Sequence, residues 1–533
     1  MTTKNIFTLV SIILLRISCY AQPWQADLGN DRYKNPIIHA DYSDPDVCRV
    51  GDDFYMTASS FNCSPSLPVL HSTDMINWEL IGYALDKQIP LDFFDKAQHG
   101  CGVWAPAIRF HNHEFYIYYP DPDFGIYMIK AKDAKGPWSE PVLVQGGKGW
   151  IDPCPLWDED GKAYLTYAFA GSRAGIKTIL MVSEMTPDGT KLVGNSVMVF
   201  DGHDGHTTVE GPKFYKRGGY YYILAPAGGV KPGWQLALSS KNVFGPYEYK
   251  VVLHQGNTDI NGPHQGALIE LDNGESWFYH FQDAYAYGRI VHLQPVTWVD
   301  GWPIMGIDRN GDGIGEPVSE FRKPTVASIG KAGIIPASDE FDGHEFGLQW
   351  QWHANPEVNW GYMSGNLGFM RLNCIAPETR VNNLWEVPNL FLQKFPSRVF
   401  SATAKLRFSA HGEGDKTGLL IMGESYAYIG LEHVDGKLKL RQMTCIDSHK
   451  GTEEKEQASV DIGQNEIYLK VEVDKNAICT FSYSENGKMF KKLGNEFEAV
   501  AGRWIGAKVG LFALGAKKTN DAGYADFDWF RVE

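Results

Sequence analysis

Residues 208–224, TVEGPKFYKRGGYYYIL, contain a pattern that recurs along the first part of the chain. A residue is followed by proline, a short apolar segment, a turn and an aromatic pair. This order begins at five places: Asp44-Pro45, Ala105-Pro106, Asp152-Pro153, Gly211-Pro212 and Gly262-Pro263. The pairs Phe54-Tyr55, Phe115-Tyr116 and Tyr221-Tyr222 each follow their proline by nine residues. Five such units, each about fifty residues long, predict a five-bladed β-propeller.

Strand periodicity supports this prediction. Between residues 38 and 305, short alternately apolar segments are bounded by Gly, Asp, Asn and Pro, and long helical spacing is nearly absent. Further turns precede Trp78, Trp138 and Tyr247, so that each unit holds about four strands. An irregular β-sandwich is the alternative, but it does not explain the equal offsets. We therefore predict an all-β chain with a propeller over residues 30–325.

A second strand-rich region covers residues 338–533, and segments such as VFSATAKLRFSA and IYLKVEVDKNAICTFSYS alternate in polarity. This pattern predicts an accessory β-sandwich, a concanavalin-like jelly roll. Glu340 and Asp526, near its two ends, could hold a structural calcium or be solvated turn acids. The loop carrying Asp308, Asn310 and Asp312 has the spacing of a calcium loop, but it lacks the glutamate of an EF-hand, which favours an ordinary turn.

Composition excludes some classes of protein. The chain has 533 residues, which predicts two or more domains, and a net charge of -15 disfavours a nucleic-acid partner. Its 16 Trp and 26 Tyr supply surfaces that can stack on sugar rings. Apart from Cys19, seven cysteines are scattered without metal-ligand spacing, which predicts isolated buried thiols.

Residues 1–21 predict a secretory signal. Lys4 gives a positive start, a short apolar run follows, and Cys19-Tyr20-Ala21 ends the segment with small residues at the cleavage offsets. The run is too short to span a bilayer, so we predict an exported protein, periplasmic or secreted, with no membrane span. Lipidation of Cys19 is the alternative, but Arg16 stands where an apolar residue is expected.

A propeller brings the residues beside the five prolines to one central channel, although they lie far apart in sequence. These residues are Asp44, Trp104, Asp152, Glu210 and His264. Three carboxylates suit hydrolysis of a glycosidic bond with inversion, which needs an acid at the leaving oxygen and a base that activates water. A third carboxylate can keep the acid protonated by like-charge repulsion. The alternative is that each Asp-Pro merely opens a turn.

Six ordered segments resemble the blade motifs of glycoside hydrolase family 43, whose members are inverting five-bladed propeller enzymes acting on arabinose- and xylose-containing polysaccharides. The segments are ADYSDPDVCRVGDDFYMTASSF, VWAPAIRFHNHEFYIYY, IDPCPLWDEDGKAYLTY, VEGPKFYKRGGYYYI, GPHQGALI and GRIVHLQPVTW. The trailing region resembles the accessory domain of the family's β-xylosidase and arabinofuranosidase branch. Ala107 departs from the pattern, because many relatives have an acid after Trp-Ala-Pro.

The resemblance implies a role for each matching residue. Asp44 resembles the general base, Asp152 the residue that raises the pKa of the acid and orients it, and Glu210 the general acid. The substrate-binding candidates are Trp104 as the wall of the sugar pocket, Arg289 beside the substrate or the acid, and His264 as ligand of a calcium ion or a water molecule. Phe61 is a further substrate-binding candidate. The alternatives are that Trp104 and His264 are ordinary core residues and that Arg289 pairs with Asp283.

Together these observations predict an exo-acting inverting hydrolase that removes a terminal pentose from an arabinose- or xylose-containing oligosaccharide or polysaccharide. We favour α-L-arabinofuranosidase over β-xylosidase, although the motifs do not separate the two. The chemistry requires no cofactor, and calcium would be structural. The alternatives of another class are a non-catalytic carbohydrate-binding protein and a purely structural propeller.

Overall fold

The computed structural model describes residues 24–327 and 333–533. The predicted signal over residues 1–21, including Cys19, lies outside these ranges. Within them, no helix is both long enough and apolar enough to cross a membrane. The seven cysteines of the described ranges are all unpaired thiols, and six of them are buried, as predicted.

The first part of the chain is a propeller of five four-stranded antiparallel sheets. A short strand, β1 (Arg32–Lys34), precedes them. The blades are β2 (Asp46–Val50), β3 (Asp53–Thr57), β4 (Ser66–Ser72) and β5 (Glu79–Leu85); β6 (Ala107–His111), β7 (Glu114–Asp121), β8 (Gly125–Ala131) and β9 (Val142–Gly146); β10 (Trp150–Trp157), β11 (Ala163–Phe169), β12 (Ile179–Met185) and β13 (Leu192–Asp201); β14 (Lys213–Arg217), β15 (Tyr220–Ala227), β16 (Trp234–Ser240) and β17 (Glu248–His254); β18 (Leu268–Glu270), β19 (Ser276–Asp283), β20 (Arg289–Val299) and β21 (Trp302–Met305). After the last blade, β22 (Glu320–Arg322) pairs with β1. The four-residue helix α1 (Gly171–Ala174) and a 3-10 turn (Tyr285–Tyr287) lie in loops.

The three aromatic pairs at the nine-residue offset all lie in the second strand of their blade, which confirms the repeat. In the fourth blade, Gly218 and Gly219 join β14 to β15 with φ of 57° and 80°. A two-residue hairpin with both φ positive matches the twist of its strands, and glycine reaches that conformation without steric cost. The repeat therefore encodes the inner hairpin of each blade.

Apolar layers between neighbouring blades hold the ring together. One such cluster joins the first and second blades, and equivalent clusters follow around the ring. The last cluster packs Trp277 and Tyr279 of the fifth blade against Phe54 and Met56 of the first. The ring is therefore closed mainly by buried apolar side chains.

The second part of the chain is a sandwich of a seven-stranded and an eight-stranded sheet, in the orders β23-β26-β36-β28-β29-β30-β31 and β24-β25-β37-β27-β32-β33-β34 with β35 paired to β33. Its strands are β23 (Gln351–Trp352), β24 (Gly361–Met363), β25 (Met370–Asn373), β26 (Phe391–Lys394), β27 (Phe400–Ser409), β28 (Lys416–Met422), β29 (Tyr426–Val434), β30 (Lys437–Cys445), β31 (Lys455–Ile462), β32 (Glu466–Val473), β33 (Ile478–Ser484), β34 (Lys491–Lys492), β35 (Phe497–Glu498), β36 (Lys508–Leu514) and β37 (Tyr524–Val532). Three 3-10 turns connect them: Gly365–Leu367, Leu384–Glu386 and Ser448–Lys450. The largest apolar cluster fills the space between the two sheets.

The acids considered as calcium ligands or turn residues make contacts within the protein, and one of them, Asp526, lies in strand β37 rather than in a turn. Both oxygens of Glu340 accept hydrogen bonds from Arg531, at 2.8 Å each. Asp526 is bound in the same way by Arg371, at 2.6 and 2.8 Å. In the loop, Asp308 accepts backbone N–H groups of its own turn, as ordinary turn aspartates do. These carboxylates are therefore occupied by the protein itself.

The sandwich docks on one side of the propeller through specific hydrogen bonds. The buried carboxylate of Asp41 accepts a hydrogen bond from the N–H of Gly506 at 2.9 Å. Lys508, also buried, donates to Gln351 at 3.1 Å and lies 3.0 Å from the sulfur of Cys63. The backbone of Ser64 pairs with Trp352. These contacts fix the loop before β36 over the end of the propeller channel.

Candidate active site

Four of the five residues that precede the blade prolines share an unusual backbone conformation. Asp44, Asp152, Gly211 and Gly262 have φ of 54°, 56°, 60° and 38°. For a residue with a side chain, this left-handed region costs on the order of 1–3 kcal/mol, which functional sites often sustain. Asp44 and Asp152 therefore hold equivalent positions, whereas Glu210 stands one residue before the equivalent position in its own blade. Its longer side chain also reaches the channel.

A cavity of about 320 Å³ lies at the end of the channel. All seven site residues predicted from the sequence line it: Asp44, Phe61, Trp104, Asp152, Glu210, His264 and Arg289. They come from all five blades, because first-strand ends and the neighbouring loops and strand starts converge there. The ring thus places these residues, which are far apart in sequence, around one cavity.

Asp44 is held as an acceptor. Its Oδ2 accepts hydrogen bonds from the hydroxyls of Ser43 at 2.7 Å and Ser59 at 2.6 Å. Arg289 Nη1 approaches Oδ1 at 3.2 Å and Oδ2 at 3.3 Å. The Asp44 carboxyl is therefore an acceptor for two hydroxyl groups and the ion-pair partner of Arg289. Oδ1 makes only the longer contact with Arg289, so it is the oxygen left to bind a water molecule.

Arg289 begins β20 and is itself fixed from two sides. Its Nη1 donates to Ser43 Oγ at 2.8 Å, and its backbone N–H donates to Asp41 Oδ1 at 2.8 Å. Asp283 faces Arg289 across the strand pair, but the ion-pair partner of Arg289 is Asp44. The alternative that Arg289 serves a structural carboxylate at Asp283 is therefore wrong.

Asp152 and Glu210 are shifted toward their protonated forms. Burial, reinforced by the charge of Asp44, raises the pKa of Asp152, although the N–H of Gly211 donates to its Oδ2 at 2.7 Å and partly opposes the shift. Burial, then the charges of Asp152 and Asp44, raise the pKa of Glu210 well above its usual range. Three like charges in one cavity cannot all be ionised at low cost, so the site retains a proton near neutral pH.

His264 is buried beside Glu210, with Nε2 at 3.5 Å from Glu210 Oε1. Burial, followed by the charge of Arg289, lowers the pKa of His264 to about 3, so the ring is neutral. Both ring nitrogens lack a hydrogen-bond partner among the described residues, and no three His, Cys, Asp or Glu side chains there converge as a metal site. Calcium prefers six to eight oxygens, so this donor set suits a buried water better than a calcium ion.

Aromatic rings form the wall of the cavity. Phe61 and Trp104 pack with ring centroids 6.2 Å apart. Trp504 of the sandwich completes the wall and meets Trp104 edge-on at 6.4 Å. The sequence analysis did not identify Trp504. In the structure its side chain is 44% exposed, which is unusual for so large an apolar residue, and in the sequence the glycines at 502 and 506 flank it. The wall therefore includes a residue from each domain.

Fold and site together define a class of protein. A closed propeller presents a carboxyl group paired with an arginine and two carboxyl groups of raised pKa in one aromatic-walled cavity. Hydrolysis of glycosides uses this combination, since one carboxyl must donate a proton while another stays ionised. The geometry is therefore that of a glycoside hydrolase.

Comparison with known proteins leads to the same class. Residues 33–303 match the model of glycosyl hydrolases family 43, and residues 338–533 match that of the beta xylosidase C-terminal concanavalin A-like domain. The chain belongs to glycoside hydrolase family 43 and is a glycosidase.

Individual relatives extend over nearly the whole chain. A putative beta-xylosidase of Xylanibacter ruminicola is 36% identical, over 91% of this chain and 86% of its own length. The non-reducing end alpha-L-arabinofuranosidase BoGH43B of Bacteroides ovatus is 29% identical, over 95% of this chain and 96% of its own. The crystal structure of the family 43 protein BlXynB of Bacillus licheniformis superimposes with a TM-score of 0.79 at 26% identity, covering 94% of this chain and 99% of the other.

Proposed function

We propose that the protein is an inverting, exo-acting pentosidase that releases a terminal xylose or arabinose from hemicellulose, with Glu210 as general acid and Asp44 as general base. The observation that carries this proposal is the division of charge in the cavity. Asp44 accepts hydrogen bonds from Ser43 and Ser59 and pairs with Arg289, as suits a base, whereas burial and like charge raise the pKa of Glu210, as suits an acid. Inverting hydrolysis needs a base and an acid at the same time.

The mechanism follows from the contacts. Glu210 gives its proton to the leaving oxygen as the glycosidic bond breaks. Asp44, through Oδ1, takes a proton from a water molecule that attacks the opposite face of the sugar. Asp152 raises the pKa of Glu210 and, through the N–H of Gly211, fixes the backbone beside it. Arg289 holds Asp44 in place. No cofactor enters these steps.

Closure of the cavity supports release of single sugars. Trp504 and Trp104 form its wall, and its floor carries the three carboxyl groups, of which Asp44 and Asp152 are buried and Glu210 is partly exposed. A cavity of about 320 Å³ is at the small end of ligand sites, which suits one sugar ring rather than a polymer segment. The leaving group must then extend through the opening, as exo-action requires.

For the sugar itself, the relatives shift the balance toward xylose. The X. ruminicola relative, at 36% identity, carries a beta-xylosidase name, whereas the more distant B. ovatus relative is an arabinofuranosidase. We therefore propose β-xylosidase activity first and retain α-L-arabinofuranosidase, the preference drawn from the sequence, as the second candidate. Both pentoses offer similar hydroxyls to the same three acids.

The test combines two assays. Parallel hydrolysis of nitrophenyl β-xyloside and nitrophenyl α-L-arabinofuranoside ranks the two sugars by kcat/KM. Proton NMR during the first minutes of reaction then reads the anomer released, and inversion requires α-xylose from a β-xyloside. Release of β-xylose as the first product would contradict the assigned roles. Failure to hydrolyse both glycosides would contradict them as well.

Export is a separate proposal, supported by the charge and apolar run of residues 1–21. N-terminal sequencing of the protein from its native host tests it. A mature chain that begins just after Ala21 supports cleavage, a lipid-modified Cys19 at the N-terminus supports anchoring, and an intact Met1 argues against export.

A further inference from the structure

Lys177 is a charged residue of the cavity that the mechanism does not use. It lies in the loop after α1 and lines the cavity together with the catalytic carboxyl groups. The other charged residues of the lining, the three acids and Arg289, belong to the buried floor or its edge, whereas the side chain of Lys177 is exposed. Its ammonium group therefore lies toward the opening.

The position of Lys177 is constrained by its surroundings. Gly171 has no side chain, and the stem of Lys177 fills that space, with Cδ 3.3 Å from the place a β-carbon would take. Within the described ranges, no carboxylate lies within ion-pairing distance of Lys177. The nearby Arg173, in contrast, is paired with Asp123 at 3.3 Å. Lys177 therefore presents an uncompensated positive charge at the opening, in a chain whose net charge is -15.

This charge works against the catalytic acid in the absence of a partner. Lys177 lowers the pKa of Glu210, opposing the effect of Asp152 and Asp44. When the substrate is neutral, Lys177 continues to lower the pKa of Glu210. An anionic group bound to Lys177 would neutralise its charge and so cancel its effect on the pKa of Glu210. The same group would add an attractive contact on the leaving-group side.

We propose that Lys177 forms a subsite for a carboxylate on the leaving group, so that the enzyme prefers pentosides whose leaving group carries a uronic acid. The sugar to be released occupies the floor, and the next sugar unit occupies the opening, where Lys177 lies. This inference rests on the proposed exo-acting function, because only that orientation places the leaving group there.

The test compares two xylo-oligosaccharides of equal length, one neutral and one with a uronic acid on the sugar next to the scissile bond. For the wild-type enzyme at low ionic strength, we expect kcat/KM to be about five-fold higher for the acidic substrate, the effect of one exposed ion pair. This ratio falls toward one in about 0.5 M salt, because exposed charges are screened. Lys177→Met abolishes the preference at any salt concentration, and Lys177→Arg retains it.

Lys231→Met is the matched control, since it removes the same charge from a nearby loop where the ammonium lies over the ring of Tyr285 at 5.4 Å. We expect Lys231→Met to retain the preference for the acidic substrate, because the subsite belongs to Lys177. Loss of that preference in Lys231→Met would overturn the assignment of the subsite to Lys177. Equal rates for both substrates in the wild type, or a ratio that Lys177→Met leaves unchanged, would also overturn it. Release of pentose from neither substrate would instead contradict the exo-acting function itself.

Discussion

Replacing Asp152 by Asn removes one negative charge from the cavity and keeps its shape. The amide oxygen of Asn can still accept the N–H of Gly211, which donates to Asp152 at 2.7 Å. The charge of Asp152 raises the pKa of Glu210 more than any other charge does, so its removal lowers that pKa. Like charges in one partly buried site interact by about 1–2 kcal/mol, so we expect a fall of about one pKa unit.

Glu210 acts in its protonated form, so activity is lost as pH rises through its pKa. In Asp152→Asn, the alkaline limb of kcat/KM for xylobiose therefore moves to lower pH by about one unit. Asp160→Asn, an exposed change of the same charge in the same blade, is the control and leaves the limb in place. An unmoved or upward-shifted limb in Asp152→Asn would refute the role given to Asp152.

Other residues give sharper tests of the surroundings. Trp504→Ala opens the cavity wall, and we expect KM for xylobiose to rise about ten-fold, with kinetics and product length as readouts; an unchanged KM would argue against a wall from the sandwich. Asp41→Ala leaves the N–H groups of Arg289 and Gly506 without their acceptor, so urea unfolding should show a loss of about 2–4 kcal/mol, and wild-type stability would contradict this coupling. Incubation with EDTA should leave kcat/KM within about two-fold, because no three His, Cys, Asp or Glu side chains of the described residues converge as a metal site at His264; a loss of activity that added calcium restores would contradict this.

Much of the propeller was predictable because its information is local and repeated. Each blade needs a hairpin, and the offset between proline and aromatic pair encodes that hairpin in the sequence. Once five hairpins close into a ring, the positions of Asp44, Asp152 and Glu210 follow from geometry rather than from distances along the chain. Glu210 stands one residue before the position of the two aspartates. The local pattern does not explain how its side chain still reaches the channel, because this depends on the backbone angles of Gly211.

The rest of the site depends on long-range packing. Trp504 reaches the cavity only because the sandwich docks through contacts such as Asp41 with Gly506. The ion-pair partner of Arg289 could not be predicted either. Arg289 is paired with Asp283 in the strand register, but its side chain forms an ion pair with Asp44. Sequence patterns report which residues share a strand face, but they do not report which side chains meet across domains or across the channel.

The central claim is that Glu210 donates the proton to the leaving oxygen. Glu210→Gln keeps the size of the side chain and removes its acidity. We predict that release of xylose from xylobiose falls by at least about 10²-fold, while a nitrophenyl pentoside, whose leaving group needs little protonation, is less affected. Circular dichroism and the melting temperature should match the wild type. Full retention of xylobiose hydrolysis by the folded variant would contradict the account.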